Sequence, residues 1–218
     1  NLFNGKNVNG KDTFGTRLQL RYLASETLEF NLNLNGLRDR VDPGITTIAV
    51  DGPGFDLAPG PRQVNRDADE FSSRDLFSRS LSVDYDFSDG YALRSMSSYH
   101  VNESERLIDL DYTHEFSAIL EATGKGSHFA QEVRLTSPLT HRLNFVAGLY
   151  YFYQKAESFQ RGLGGPAFFL PGYHNDDIGE VITHSVAGYF HGNMHLTDKL
   201  TLTGGLRYTY EDKKIDFS

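Results

Sequence analysis

Apolar and polar side chains alternate with a period of two along most of this chain. From Phe14 to Tyr22, one set is Phe14, Thr16, Leu18, Leu20 and Tyr22, and the other is Gly15, Arg17, Gln19 and Arg21. From Leu28 to Asn35, Leu28, Phe30, Leu32 and Leu34 oppose Glu29, Asn31, Asn33 and Asn35. A helix would mix these sets, whereas a strand sends successive side chains to opposite faces. Six further segments repeat the pattern: Phe77 to Phe87, Tyr91 to Val101, Ser127 to Leu135, Leu143 to Tyr153, Val186 to His195 and Leu200 to Glu211. The last is the cleanest, with Leu200, Leu202, Leu206, Tyr208 and Tyr210 against Thr201, Thr203, Arg207, Thr209 and Glu211. The pattern predicts an all-β antiparallel protein of about eight strands. All seven prolines fall between these segments, as expected of a residue with no N–H to give to a ladder.

The links alternate in length. Those after the first, third, fifth and seventh strands are short: 23–27, 88–90, 137–142 and 197–199. Those after the second, fourth and sixth are long, roughly 36–75, 102–126 and 155–181, and rich in Gly, Pro, Asp and Asn. Short turns on one rim and long loops on the other is the arrangement of an outer-membrane β-barrel, with periplasmic turns and extracellular loops. Most segments run about nine or more residues, enough for a tilted strand to cross a bilayer.

Aromatic rings on the apolar faces sharpen this expectation. Tyr22, Tyr85, Phe87 and Tyr91 lie near the short-turn rim, and Phe14, Tyr99, Phe129, Tyr151, Tyr153, Tyr208 and Tyr210 near the long-loop rim. Two aromatic girdles around an aliphatic belt suit a membrane wall, because amphipathic rings favour the headgroup region. A soluble antiparallel sandwich also alternates, but does not call for rings at both rims. A general porin or channel segment is the other alternative.

Three stretches carry a family likeness: Gln131 to Pro138, Leu143 to Phe152, and Leu196 to Lys214. Their order and spacing resemble the barrel region of TonB-dependent outer-membrane receptors, with the last stretch the most specific. The resemblance implies a 22-stranded barrel closed by a plug domain, in the outer membrane of a Gram-negative bacterium. It also implies uptake of a scarce nutrient (a ferric siderophore, vitamin B12, haem or a carbohydrate), driven by TonB through the plug. A ferric siderophore is the leading substrate expectation. Residues 1–218 then read as part of a receptor barrel whose plug is not in the sequence, since short periplasmic turns would leave both ends outside the cell. Lipid and lipopolysaccharide are the expected surroundings.

Composition narrows the chemistry. The chain has 218 residues, 39% hydrophobic and 23% charged, with 28 Tyr and Phe, no Cys and no Trp. Wholesale disorder is excluded, as are disulfides and thiolate metal sites. No run of 18 apolar residues marks a transmembrane helix, and the first residues do not form a signal peptide. A net charge of -8 disfavours nucleic acid. No enzyme, cofactor or metal site is expected. His191 and His195 lie on a strand, about 13 Å apart, too far to share an ion. Asp84, Asp86 and Asp89 fail the spacing of a calcium loop. Neither Gly162-Leu163-Gly164-Gly165 nor Gly124-Lys125-Gly126 continues into a phosphate loop. No Gly-x-Ser-x-Gly motif is present, and Asn102-Glu103-Ser104 is only a formal glycosylation sequon.

Candidate ligand contacts come from position. Phe168, Phe169, Tyr173 and His174 share the sixth-to-seventh link with Asp176 and Asp177. Exposed rings beside polar groups suit stacking on a siderophore or sugar, and self-packing of a long loop is the alternative. Arg94, Arg134 and Arg207 are expected to face the lumen, toward an anionic ligand, the plug or acids such as Glu132 and Glu211. The charged run 102–111 is read as a solvated extracellular loop, or as a holder of divalent ions bridging lipopolysaccharide.

Overall fold

The computed structural model describes residues 1–42, 63–139 and 142–218. They form one antiparallel sheet of eight strands in chain order: β1 (Lys11–Leu23), β2 (Leu28–Val41), β3 (Phe71–Asp86), β4 (Ala92–Asp109), β5 (Ala118–Thr136), β6 (Leu143–Gly164), β7 (His174–Thr197) and β8 (Leu200–Phe217). Each strand pairs with its sequence neighbours, and among the described residues β1 and β8 do not meet. The sheet is therefore an open stretch of wall.

Register shows how the wall tilts. One row of Cα partners runs Tyr22, Phe30, Val83, Ser95, Val133, Leu149, Gly188 and Tyr208. Tyr22 is one residue from the end of β1, whereas Tyr208 is eight residues beyond the start of β8. The row thus climbs by about seven residues, roughly 23 Å at about 3.3 Å each, over seven strand steps of about 4.8 Å, roughly 34 Å. The strands lean by about 35°, the tilt of transmembrane barrels. The tilt also explains why Tyr22 and Tyr208 share a row yet were expected in opposite girdles.

Height counted from the short-turn ends separates two zones. For about ten residues one face is aliphatic and aromatic, from Leu200 to Tyr210 on β8 and from Leu143 to Tyr153 on β6. At this tilt that spans about 27 Å, close to the apolar band of about 25 Å on an outer-membrane barrel. Above it the same face turns charged, with Glu103, Lys125, Glu157 and Glu180 partnered in one row. Lys155 bridges Glu157 and Glu180 at 2.7 and 2.9 Å.

No second layer covers the apolar face among the described residues. Leu200, Leu202 and Leu206 are 55%, 60% and 78% exposed, and Leu149, on a central strand, is 69% exposed. A soluble sandwich would bury these side chains. The opposite face is polar in consecutive rows, one running Asn35, Ser78, His100, His128, Gln154, Thr183 and Lys213.

The structure revises the strand ends. The upper ends reach Asp109, Ala118, Gly164 and His174, well beyond the expected Val101, Ser127, Tyr153 and Val186. The upper links shrink to 110–117 and 165–173, and the first spans 42–70. Above the belt both faces meet water, so the contrast that marks a strand in the sequence fades while the ladder continues. Pro43, Pro53, Pro59 and Pro61 lie outside the described residues.

Candidate functional site

At the long-loop rim, the β6–β7 link folds into a tight knot. Gly164 N–H donates to Tyr173 O at 2.8 Å and Gly172 N–H to Gly164 O at 3.1 Å, with Gly172 at φ +78°. Phe168 lies over Gly164, so closely that a Cβ there would strike its ring. The Phe168 ring is 4.3 Å from Phe169 and 5.9 Å from Tyr173. The knot also packs on the β4–β5 link, where Gly165 N–H donates to Ser117 O at 2.7 Å. Self-packing therefore accounts for Phe168, while Phe169 stays 80% exposed and Tyr173 44%.

His174 turns to Asp176, with Nε2 at 3.2 Å. Arg161 donates twice to the same carboxylate, at 2.8 and 3.0 Å. These bonds, helped by the charges of Arg161 and His174, hold the Asp176 carboxyl below its ordinary range.

The three arginines occupy one row of the polar face: Glu29, Asp84, Arg94, Arg134, Gly148, Tyr189 and Arg207. Arg94 approaches Asp84 at 3.3 Å. Arg207 lies over the rings of Tyr150 and Tyr189, 5.8 and 5.9 Å from their centroids. Tyr189 in turn donates its hydroxyl to Glu132 and covers Gly148, where a Cβ would collide with the phenol. The expected ladder with lumen acids thus takes another form. Asp84 is the acid beside Arg94, Glu132 receives a tyrosine, and Glu211 lies 3.8 Å from Lys213.

The rings and the arginines do not form one site. Gly148, which pairs with Arg134, is 16 residues below Gly164 on β6, or about 50 Å along the strand. His191 and His195 face the polar side, and His195 Nδ1 lies 2.9 Å from Thr201 Oγ1.

Several groups escaped the sequence reading. His100 and His128 stack at 4.4 Å on the polar face. On the apolar face Gln131 accepts from the Ser97 hydroxyl and donates to that of Ser95. Asp67, Asp109 and Asp111 converge at the rim, with one ligand oxygen from each within 4.8 Å of the others. Asp109 and Asp111 belong to the charged run already noted, but no spacing ties Asp67 to them. Asp109 is fully buried. Desolvation first, then the neighbouring Asp111 and Asp67, push its carboxyl up to about 6.

A tilted, one-layer antiparallel wall, apolar outside and polar inside, with short turns below and strands extending above the belt, defines an outer-membrane-type barrel segment. The family model described as TonB dependent receptor-like, beta-barrel matches residues 10–218. The chain belongs to the TonB-dependent receptor family, whose members are transporters of the Gram-negative outer membrane. No curated protein matches it. Among solved structures it is similar to the ferric yersiniabactin uptake receptor FyuA from Yersinia pestis, at 18% identity and a TM-score of 0.73, covering 96% of this chain and 31% of that one. It is also similar to the siderophore receptor PiuA from Acinetobacter baumannii, at 13% identity and a TM-score of 0.63, covering 98% and 40%. A third is FpvAI in its complex with pyocin S2, at 13% identity and a TM-score of 0.65, covering 95% and 30%. The chain thus spans less than half the length of each.

Proposed function

We propose that this chain is part of the wall of an outer-membrane receptor that takes up a ferric siderophore, driven by TonB through a plug domain. The β6–β7 knot supplies a capture surface at the extracellular rim, with Phe169 and Tyr173 as stacking rings and His174 beside them. The lower arginines, Arg94, Arg134 and Arg207, line the lumen, where they meet the plug or an anionic ligand. Lipid and lipopolysaccharide surround the apolar belt. The observation that carries this reading is the ring cluster, anchored by Phe168 yet leaving Phe169 open to solvent at the outer rim. Its substrate class leans on the names of the similar solved receptors. No step of bond making is assigned to these residues.

The test is uptake of ⁵⁵Fe by iron-starved cells given catecholate, hydroxamate and phenolate siderophores one at a time. Deleting the gene is expected to abolish uptake of one class. Phe169→Ala in the intact receptor is expected to raise the half-saturation concentration for that class about tenfold, the equivalent of about 1.4 kcal/mol, within the range for one aromatic contact. Unchanged uptake of every iron complex in the deletion strain, with loss of cobalamin, haem or sugar uptake, would overturn the siderophore assignment.

A further inference from the structure

We propose that Asp67, Asp109 and Asp111 hold one calcium-sized divalent cation at the base of the β4–β5 link, clamping that link to the segment before β3. The three carboxylates come from places 42 residues apart in the chain, yet one oxygen of each lies within 4.8 Å of the others. A central ion about 2.4 Å from each oxygen matches that spread.

The second observation is separate from the clustering. Asp109 is 0% exposed, and its two oxygens are treated differently. Oδ1 accepts the N–H groups of Asp111 and Tyr112 at 3.1 and 2.7 Å, whereas the buried Oδ2 has no hydrogen-bond partner. Asp67 Oδ1 is likewise buried and unpartnered. A buried carboxylate oxygen without a donor is costly, and folded proteins resolve such groups with a proton, a water or a cation.

The nearby cations, Arg66 and His114, act on Asp109 and Asp67 by charge, but neither unpartnered oxygen accepts a hydrogen bond from them. Arg66 is ion-paired with Glu70 and lies 4.7 Å over the Tyr112 ring. Glu70 also takes the Asp109 N–H at 3.1 Å. Three carboxylates therefore meet, and two of their oxygens are buried without a donor.

Asp67 Oδ1 and Asp109 Oδ2, the two oxygens without a donor, are available as ligands. Asp111 brings the third oxygen of the cluster, and its carboxylate also braces the link, taking Thr113 N–H at 3.0 Å and Ala118 N–H at 2.6 Å. Such an all-oxygen set suits a hard cation, and calcium's flexible geometry tolerates carboxylates fixed by the surrounding fold better than the stricter octahedron of magnesium does. Few protein ligands imply weak binding, with a dissociation constant of about 0.1–1 mM, the range of extracellular calcium modules. This inference stands apart from the siderophore reading, since calcium binding does not require any particular cargo.

The test uses the intact receptor, refolded from inclusion bodies so that no lipopolysaccharide carries calcium, and stripped with EGTA. Calcium chloride alone is titrated by equilibrium dialysis with ⁴⁵Ca, and trypsin cleavage within the extracellular links is timed with and without calcium. Wild type is expected to bind one calcium more than Asp109→Asn and Asp67→Asn, and to be cut at least tenfold more slowly when loaded. Asp69→Asn, outside the cluster, is expected to behave as wild type. Heat-modifiable gel mobility confirms that each variant folds. Equal calcium uptake by wild type and both variants, or cleavage indifferent to calcium, would overturn the site.

Discussion

Replacing Leu149 by arginine probes the membrane reading at one point on the wall. Leu149 sits six residues above the start of β6, which at about 3.3 Å per residue and a lean of about 35° places it about 16 Å up a belt of about 27 Å. That is within about 3 Å of the middle. It points outward from a strand paired on both sides and is 69% exposed, so the membrane reading makes lipid its neighbour. Arginine on the lipid face at mid-depth costs about 2–4 kcal/mol, and 3 kcal/mol is a factor of about 150 in the folding equilibrium. The matched control is Ile178→Arg. Ile178 is also an outward aliphatic residue, 53% exposed, but it lies 19 residues above the end of β7, clear of the bilayer. Its replacement is expected to cost less than about 0.5 kcal/mol, as surface changes usually do. The assay is urea-dependent folding of the intact receptor into short-chain phosphatidylcholine vesicles, read by gel mobility without heating. If the two variants lose equal stability, or Leu149→Arg loses less than about 1 kcal/mol, the apolar face does not meet lipid and the wall has been misread.

Other outcomes test the polar face and the rim. Gly148→Ala should cost about 1–2 kcal/mol, because the new methyl displaces Tyr189 from its bond to Glu132 and from Arg207. The loss should shrink below about 0.5 kcal/mol in a Tyr189→Ala background, measured as a double-mutant cycle. Arg161→Gln should speed amide exchange in the 164–173 knot at neutral pH. Because Asp176 titrates below its ordinary value when paired, the pair stabilises above about pH 4 and is lost as pH falls through the depressed value. Wild type and variant should therefore exchange alike once pH falls below the depressed value, and a difference persisting there would show that the pair is not the cause. Tyr151→Lys, at the upper girdle, should be tolerated better than Leu149→Arg in the same vesicle assay, since the penalty falls to about 0–1 kcal/mol near the interface.

How much of this was legible in the sequence depends on solvent. Where lipid meets one face and water the other, as from Leu200 to Tyr210, alternation marks the strand and its facing at once. Where water meets both faces, the ladder runs on unmarked. Residues 154–164 of β6 and 174–185 of β7 are paired throughout, yet Glu157, Glu180 and Lys155 stand where the lower part of the same face carries Leu149 and Phe190. The lower turns were placed closely because Ser88-Asp89-Gly90 and Thr197-Asp198-Lys199 carry turn chemistry, with Gly90 at φ +84°.

The candidate contacts show a second limit. Alternation reports which way a side chain faces but not how high it sits, and height decides which residues can act together. Arg94 and Arg134 stand two residues from the short-turn ends of their strands, Arg207 seven, and the ring cluster at the top of a 22-residue strand. Register, not periodicity, holds that information, because each step to the next strand shifts the rim along the ladder. The same register brought Tyr189 to Arg207, and a loop contact rather than a strand pairing brought Asp67 to Asp109. A wall of this kind therefore presents its chemistry in tiers: rings and acids above the membrane, arginines and tyrosines within it. On the uptake proposed above, a cargo passing inward would meet these tiers in sequence, so a variant in either tier alone should alter one stage of passage and leave the other intact.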